Sequence, residues 1–327
     1  MKLEKKDLSL MYQLDANYRR SYAAIGKDIR MSEQLINHKI KRFSAEGIIS
    51  GFRPLIDYSR FGLYSFIAFF RVSYQSEDAF NELIASVKKE QSVLSLMICD
   101  GSYDLAVRFA ASNPSSFNKQ FKRMLSEFPK LRVRMILTVV VEHQFLRDYL
   151  VKKQRPLDVV VGGDRPQLAL EAADKAIITA LAEGNRKTIE LSKAAGISAK
   201  TCVVRLKKLE EQGVVKGYRL ALHPRKAGIS TNLLLARFRN ITYEQEEQFT
   251  YACKSHPNIV SFIKTFGQWD AVLSVETWSR LEFRKLVLQL REQFDAILDD
   301  TDTIRIVDFI WKQSVPDGVL GEEKNGQ

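Results

Sequence analysis

The chain has 327 residues, and 45 % of them are hydrophobic, a share that suits several packed domains and excludes a largely disordered protein. Its 50 Lys and Arg residues outnumber 39 Asp and Glu residues, and the formal net charge of +11 favours a polyanionic partner. Five of the first seven residues are charged, no leader-like apolar segment follows them, and no run of about 18 apolar residues occurs, so we expect a cytoplasmic protein without a membrane span.

An internal repeat relates the two halves of the chain. Residues 32–53, SEQLINHKIKRFSAEGIISGFR, match residues 198–219, SAKTCVVRLKKLEEQGVVKGYR, at an offset of 166. The same offset relates Gly62 to Gly228, and Gly101 to Gly267. A period of this length indicates a duplicated pair of domains and not a solenoid. Residues 151–167 hold prolines, paired glycines and charges, and are predicted to be a linker between the copies.

Each copy begins with three short predicted helices. In the second copy, Thr188 and Ser198 are predicted N-caps, Gly196 separates two helices, and Gly213 ends the third. The first copy repeats the pattern, with Ser32 opening its third helix. Three helices with a tight turn before the third, followed by a short strand, predict a winged helix-turn-helix. We place these domains at residues 1–54 and 168–222.

The hydrophobic period changes after each predicted wing. In the first copy, strands are predicted at 63–73, 93–99, 103–110 and 133–141, with helices at 77–90 and 115–127, and the second copy repeats this order. The order strand-helix-strand-strand-helix-strand is ferredoxin-like. We therefore predict an α+β fold in which two winged helix-turn-helix domains alternate with two ferredoxin-like domains at 60–150 and 226–315. Residues 316–327 form a predicted tail.

Each ferredoxin-like sheet has one face that its own helices leave uncovered. We expect the two sheets to cover these faces for one another, within a chain or between chains, because a large open apolar face would aggregate. The side chains assigned to the uncovered faces are Phe66, Ala68 and Phe70 in the first copy, and Leu233, Leu235 and Arg237 in the second.

These features resemble the Lrp/AsnC family of transcription regulators over about 300 residues. The residues that carry the resemblance are Asp174, 198–206, Leu209, 213–218, Gly228 and 267–270. The resemblance implies a sequence-specific, DNA-binding regulator that is not an enzyme, with ferredoxin-like regulatory domains for dimerisation and for sensing a small molecule such as an amino acid. It implies double-stranded DNA as the partner and a homo-oligomer joined through the regulatory domains. Leu35, Lys39 and Trp269 depart from the family pattern, and most members carry one unit per chain.

The third helix of each unit carries the DNA-binding prediction, because side chains on its first turns reach base edges in the major groove. Predicted base-reading residues are Gln34, Asn37, His38 and Lys39 in the first unit, and Lys200, Thr201 and Arg205 in the second. Predicted phosphate-binding residues are Lys41, Arg42, Lys207 and Lys208. The simpler interpretation is a solvated basic face. Charge distribution favours DNA, because residues 1–54 hold 11 basic and 6 acidic side chains whereas residues 223–327 hold 13 and 15.

The glycine hairpins of the regulatory domains are the predicted effector site, since the family binds effectors near this loop. The candidate residues are Gly101, Tyr103, Asp104, Gly267, Trp269 and Asp270. The simpler interpretation is structural: glycine supplies the positive φ of a tight turn, and the aspartates cap it.

Two other functions are open at this stage. Siroheme decarboxylases also resemble fused Lrp/AsnC units, but their hairpin region carries a histidine, whereas residues 97–106 and 264–272 contain none. The third class is an adaptor that pairs with similar proteins without binding DNA. The cysteines Cys99, Cys202 and Cys253 form no CxxC pair, so we expect no disulfide framework, no metal and no cofactor.

Overall fold

The computed structural model describes residues 3–74, 76–151, 157–311, 313–316 and 319–320. Within these ranges no helix is long and apolar enough to cross a membrane.

The first copy contains the two predicted domain types in the predicted order. Its elements are α1 (Lys5–Asn17), α2 (Tyr22–Ile29), α3 (Glu33–Ala45), β1 (Ile49–Ile56), β2 (Tyr64–Val72), α4 (Glu77–Val87), β3 (Val93–Asp100), β4 (Leu105–Ala111), α5 (Pro114–Glu127) and β5 (Leu131–Phe145).

The second copy follows a short strand, β6 (Asp158–Gly162), and repeats the order of the first. Its elements are α6 (Ala172–Ala182), α7 (Thr188–Ala194), α8 (Ala199–Glu211), β7 (Val215–Leu222), β8 (Ser230–Phe238), α9 (Tyr243–Ser255), β9 (Ile259–Phe266), β10 (Ala271–Thr277), α10 (Arg280–Gln293) and β11 (Leu298–Trp311). The α+β prediction is therefore confirmed.

The domain limits stay predictions, with one correction in the linker. Residues 158–162 form β6, which pairs with β5 beyond the end of β2, so this part of the predicted linker belongs to a sheet. Residues 152–156 of the linker, and most of the predicted tail, lie outside the described residues.

The two helix-turn-helix domains form one body. Strands β1 and β7 pair antiparallel, with Phe52 opposite Leu220. A single hydrophobic core runs through both domains and includes Leu10 of α1, Phe43 of α3 and Leu206 of α8. Their recognition helices are therefore held in a fixed relation by a shared core and a shared sheet.

The two ferredoxin-like sheets close into a barrel within the chain. The strand order is β2-β4-β3-β11-β8-β10-β9-β5, and β5 pairs back to β2, so eight antiparallel strands form a ring. The junctions between the copies are β3–β11 and β5–β9, which are equivalent in the repeat. This closure agrees with the expectation that the two sheets cover one another, because the inner faces of both copies form one shared core.

The direction of the side chains in β2 differs from the prediction. Ile67 and Phe69 lie inside the barrel, whereas Phe66, Ala68 and Phe70 pack beneath α4 and α5. In the second copy, Leu233 and Leu235 face the interior as expected. Strand β2 is apolar on both sides because it separates two cores, so its hydrophobic pattern does not distinguish its faces.

Candidate nucleic-acid interface

Helix α3 presents a polar outer face. The Ser32 side chain accepts a hydrogen bond from the Leu35 backbone N–H, and this cap fixes where the helix begins. Ile36 and Phe43 are fully buried beneath it. Among the predicted base-reading residues, Gln34, Asn37 and His38 are exposed.

Helix α8 is capped in the same way. The Ser198 hydroxyl accepts from the Thr201 backbone N–H, and its oxygen lies 2.8 Å from the Thr201 hydroxyl. Lys200 and Thr201 are exposed on the first turn. Two apolar side chains are also exposed on this helix, Val203 at 53 % and Val204 at 63 %. Neither packs into the core of its own domain. Neither valine is among the predicted DNA-binding residues, and a β-branched pair close to Lys200 and Thr201 is the sequence signal for them.

Lys39 requires a correction. Its side chain is buried, and its Nζ lies 2.5 Å from the Asp7 carboxylate of α1. The Asp7 carboxylate also accepts from the Glu4 backbone N–H and so stabilises the start of α1. Lys39 therefore joins α3 to α1 within the domain and is not available to read a base.

Arg205 also has acidic partners within its domain, although it is only partly buried, and its base-reading role stays a prediction. Its guanidinium lies 3.1 Å from Asp174 and 2.6 Å from Glu171, both at the start of α6. Asp174 repeats the role of Asp7, because it accepts from the Glu171 backbone N–H. The Asp of the family pattern and the basic residue of the third helix are thus a structural pair in both copies.

The predicted phosphate-binding residues differ in their availability. Lys41, Lys207 and Lys208 are exposed, and Lys207 forms a surface pair with Glu211 at 3.5 Å. Arg42 is partly engaged, with its guanidinium 3.8 Å from Asp7 and stacked over the Phe43 ring at 4.9 Å. The exposed Lys207–Glu211 pair can be replaced by a contact with phosphate, since exposed ion pairs contribute about 1 kcal/mol or less to stability.

Arginine side chains connect the two helix-turn-helix domains. Arg186 lies over the Tyr22 ring at 4.5 Å and hydrogen-bonds the Tyr18 carbonyl oxygen of the other copy. Arg19 donates to the Arg186 carbonyl oxygen at 3.2 Å and to the Tyr218 hydroxyl at 3.1 Å. Burial raises the pKa of Tyr18 to about 12, so its hydroxyl stays neutral.

A buried charge cluster connects these domains to the barrel. Arg147, just beyond β5, binds the carboxylates of Asp15 at 2.6 Å and Glu276 at 2.8 Å. Arg219 of β7 binds the other oxygen of Asp15 at 2.8 Å. Burial alone would raise the pKa of Asp15, but the Arg219 and Arg147 guanidiniums outweigh it and hold the pKa of this carboxyl below its usual range. The cluster therefore stays ionised and fixes α1 on the barrel.

The predicted effector residues have structural roles in the chain. Asp104 accepts from the Val72 backbone N–H at 2.8 Å, and Asp270 accepts equivalently from Phe238. Tyr103 and Trp269 are buried in the barrel core. These side chains hold the hairpins against the neighbouring strands, as the simpler structural interpretation expects, and a ligand-binding role for the hairpins stays a prediction.

Comparisons with known proteins agree with this organisation. A model of winged helix-turn-helix DNA-binding domains matches residues 170–216. The leucine-responsive regulatory protein of Haemophilus influenzae is 32 % identical over 124 residues, which is 36 % of this chain and 73 % of that protein. The chain belongs to the Lrp/AsnC family. The leucine-responsive regulatory protein of Serratia marcescens is 29 % identical over 162 residues, covering 48 % of this chain and 95 % of that protein, as expected when one Lrp/AsnC unit corresponds to one copy of the repeat.

One solved structure matches the fused arrangement as a whole. The siroheme decarboxylase NirDL superposes with a TM-score of 0.60, at 12 % identity, over 96 % of this chain and 94 % of its own. At this identity the match establishes the shared fold. It extends through both Lrp/AsnC units, whereas the matches to single regulators cover one.

Proposed function

We propose that the protein is a DNA-binding transcription regulator of Lrp/AsnC type in which one chain presents two different recognition helices to double-stranded DNA. The observation that carries this proposal is the pair α3 and α8. Both begin at a serine cap, both bury one apolar face, and both expose the opposite face on one rigid pair of domains. DNA as ligand also accounts for the excess of basic residues in these domains.

The two helices are suited to different base edges. In the first unit, Gln34 and Asn37 carry amides, which favour adenine, and His38 lies beside them. In the second unit, Lys200 favours guanine, and Val203 and Val204 offer methyl groups for thymine contacts. The operator is therefore expected to be asymmetric, with one half-site of each kind, because the two units already pair within a chain.

The remaining basic side chains supply affinity without sequence preference. Lys41 of α3, and Lys207 and Lys208 of α8, are exposed and flank the proposed base-reading positions. Each phosphate neutralised by such a residue releases condensed counterions, so affinity for DNA falls as salt rises. DNA as the target also supports a cytoplasmic location.

A gel-retardation series in increasing salt tests the proposal. We expect the wild type to retard genomic fragments strongly at low salt and to lose affinity steeply between 50 and 200 mM salt, in the range of roughly 10³-fold for about six phosphate contacts. The double variant Lys207→Ala/Lys208→Ala is expected to reduce the slope of log affinity against log salt by about 1–2.

The matched control carries two exposed basic residues of α10, in Arg284→Ala/Lys285→Ala. It removes the same charge from the barrel surface and is expected to leave the slope unchanged. A wild-type protein that retards no genomic fragment at low salt would overturn the proposal, and equal effects of the two double variants would contradict the assigned surface.

Homo-oligomerisation through the regulatory domains is also proposed, on the outer surface of the barrel. The inner faces are used within the chain, but Phe266 is 78 % exposed at the end of β9. We expect Phe266→Ser to lower the mass measured by sedimentation if this surface joins chains. An unchanged mass would exclude Phe266 from the interface.

A second candidate is an enzyme of the siroheme decarboxylase type. It is favoured by one observation, an arginine-lined cavity in a fold that superposes on NirDL. The hairpins of this chain contain no histidine, which weighs against the same chemistry. An absorbance scan during addition of siroheme tests it: a shifted Soret band followed by carbon dioxide release would support the enzyme, whereas neither change would exclude it.

A further inference from the structure

A cavity of about 690 Å³ lies between the paired wings and the near end of the barrel. Its upper wall is formed by β1 and β7, the strands that carry the helix-turn-helix domains, and includes Phe52 and Arg219. The remaining walls come from strands of both ferredoxin-like sheets. This volume lies within the range of small-molecule sites. The predicted hairpin residues do not contribute to it.

The floor of the cavity is apolar. Ile67 and Phe69 of β2, Leu233 of β8 and Ile263 of β9 line it, and all four belong to the core inside the barrel. Both copies of the repeat thus contribute to a single floor. An aliphatic or aromatic ligand group resting there would remove this apolar surface from water, which favours binding.

The rim holds polar atoms that lack a partner. Arg219 Nη1, His223 Nδ1 and Thr231 Oγ1 are each buried without a hydrogen-bond partner among the described residues, and all three side chains line the cavity. Arg219 is itself only 4 % exposed. A buried donor without a partner is unfavourable, and Arg219 Nη1 and the Thr231 hydroxyl can both donate, so this part of the rim indicates a site for a ligand that accepts hydrogen bonds.

Arginines are concentrated on the wing side of the same rim. Arg147 and Arg219 share the carboxylate of Asp15, and Arg147 also pairs with Glu276, which lines the cavity. Arg53 of β1 also lines the cavity, and burial, together with the charges of Arg147 and Arg219, lowers its pKa to about 10. Glu142 also lines the cavity and is neutralised by Arg108 at 2.5 Å. Arg219 and Arg53 therefore favour a negative group beside the wing strands.

We propose that this cavity binds an amphipathic organic carboxylate, with its apolar body inside the barrel and its carboxylate at Arg219 and Thr231. The carboxylate accepts from Arg219 Nη1 and from the Thr231 hydroxyl. The ligand thereby contacts the barrel and the wing strands together. Resting on the proposed function, we further infer that its binding changes DNA affinity, because Arg219 also holds Asp15 of α1.

Isothermal titration calorimetry with decanoate tests the binding site on the full chain. We expect one decanoate per chain, bound at least tenfold more tightly than decylamine or 1-decanol, because only decanoate places an anion at the rim. Iron-uroporphyrin is the second probe, since it combines carboxylates with an apolar ring. Preference for it over decanoate would support the same chemistry and identify a tetrapyrrole as the source. Equal binding of decanoate and decylamine, or binding of neither acid, would overturn the proposal.

Variants locate the carboxylate. Thr231→Val keeps the shape of the side chain and is expected to weaken decanoate binding about threefold to tenfold, while Arg219→Met is expected to abolish it. Should Arg219→Met fail to fold, Arg53→Met provides the charge test, with an expected loss of fivefold or more. The matched control, Arg132→Met, removes an exposed arginine of β5 and should bind like the wild type. Equal losses in Arg132→Met and Arg53→Met would refute the site.

Retardation of DNA without any added acid measures the proposed function separately. If DNA binds but decanoate and iron-uroporphyrin do not, the cavity proposal fails and the regulator remains. If the acids bind with the expected dependence on Thr231 and DNA is not retarded, the cavity is a ligand site and the regulator proposal fails.

Discussion

Asp15 and Arg219 form a buried ion pair at 2.8 Å although 204 residues separate them in the chain. The pair joins α1 of the first copy to β7 of the second, and Arg147 adds the end of β5 to the same carboxylate. One side chain therefore holds three parts of the fold together. Removing it leaves two buried guanidiniums without their shared anion.

Substitution of this carboxylate should destabilise the whole chain. We expect Asp15→Asn to lower the free energy of unfolding by about 3–5 kcal/mol, because breaking a buried pair leaves an uncompensated charge. Urea denaturation followed by circular dichroism measures the change. The control, Asp28→Asn, removes the acid of the exposed pair with Arg20 and should cost about 1 kcal/mol or less. Similar losses in the two variants would contradict the role of the cluster.

The contribution of Asp15 should depend on pH in a defined direction. Its pKa in the folded chain lies below the ordinary value of 3.8, so the stability that it supplies is fully present above pH 3.8. As the pH falls through the folded pKa, the carboxylate is protonated and that stability is lost. The difference between the wild type and Asp15→Asn should thus be constant from pH 5 to 8 and shrink below pH 3.8. If the difference in stability between the two proteins already shrinks near pH 6, the pH dependence belongs to a group other than Asp15.

Base reading and phosphate binding should separate on α8. We expect Lys200→Ala to weaken binding to a selected operator by about 1–3 kcal/mol and to have less effect on random DNA. Lys207→Ala should weaken both by the same factor and reduce the salt slope by about 1. Fluorescence anisotropy on both DNAs at two salt concentrations gives the four values needed. Loss of preference in Lys207→Ala alone would reverse the assignment.

Arg205 should behave as a structural residue. Arg205→Ala removes the pairs with Asp174 and Glu171, and is expected to lower the melting temperature of the chain. Its affinity should fall by the same factor on operator and on random DNA if the guanidinium is held by Asp174 and Glu171 in the complex as well. Arg205→Lys, which copies the residue at the equivalent Lys39, should recover most of the stability. A selective loss on the operator would restore Arg205 as a base-reading residue.

The two half-sites should respond to different substitutions. In hydroxyl-radical footprints, Gln34→Ala is expected to weaken protection of one half of the operator, and Lys200→Ala the other. Each variant is the control for the other, since both lie on the first turn of a recognition helix. A palindromic operator whose halves weaken equally in both variants would show that the two units are interchangeable.

The repeat and the order of elements followed from the sequence because they depend on local signals. Serine caps, glycine stops and the change of hydrophobic period are all encoded within a few residues of where they act. The interior face of β2 was not predictable in this way. Ile67 and Phe66 are equally apolar, and only the closure of the barrel decides which of them lies inside.

The roles of basic residues were the least predictable part of the site. Lys39 and Arg205 lie on the third helices and were predicted to read bases. Their ion-pair partners, Asp7 and Asp174, lie 32 and 31 residues earlier in the chain. Only the packing of the first helix against the third reveals these pairs. The cavity was missed for a similar reason, because Arg53, Arg219 and Thr231 converge from separate domains. By contrast, the consecutive valines of β6 were a local signal that the linker composition obscured.

Closure of the barrel within one chain affects how assembly depends on concentration and how the two copies can evolve. Two separate subunits dissociate on dilution, so the amount of paired protein depends on the square of the subunit concentration. Here the two copies pair through β3–β11 and β5–β9 and belong to one polypeptide chain. The effective concentration of one copy near the other is therefore fixed. The pairing of the two copies, and with it the pairing of α3 and α8, is then independent of protein concentration. Halves are not exchanged with other family members, and each recognition helix is free to change without altering the other.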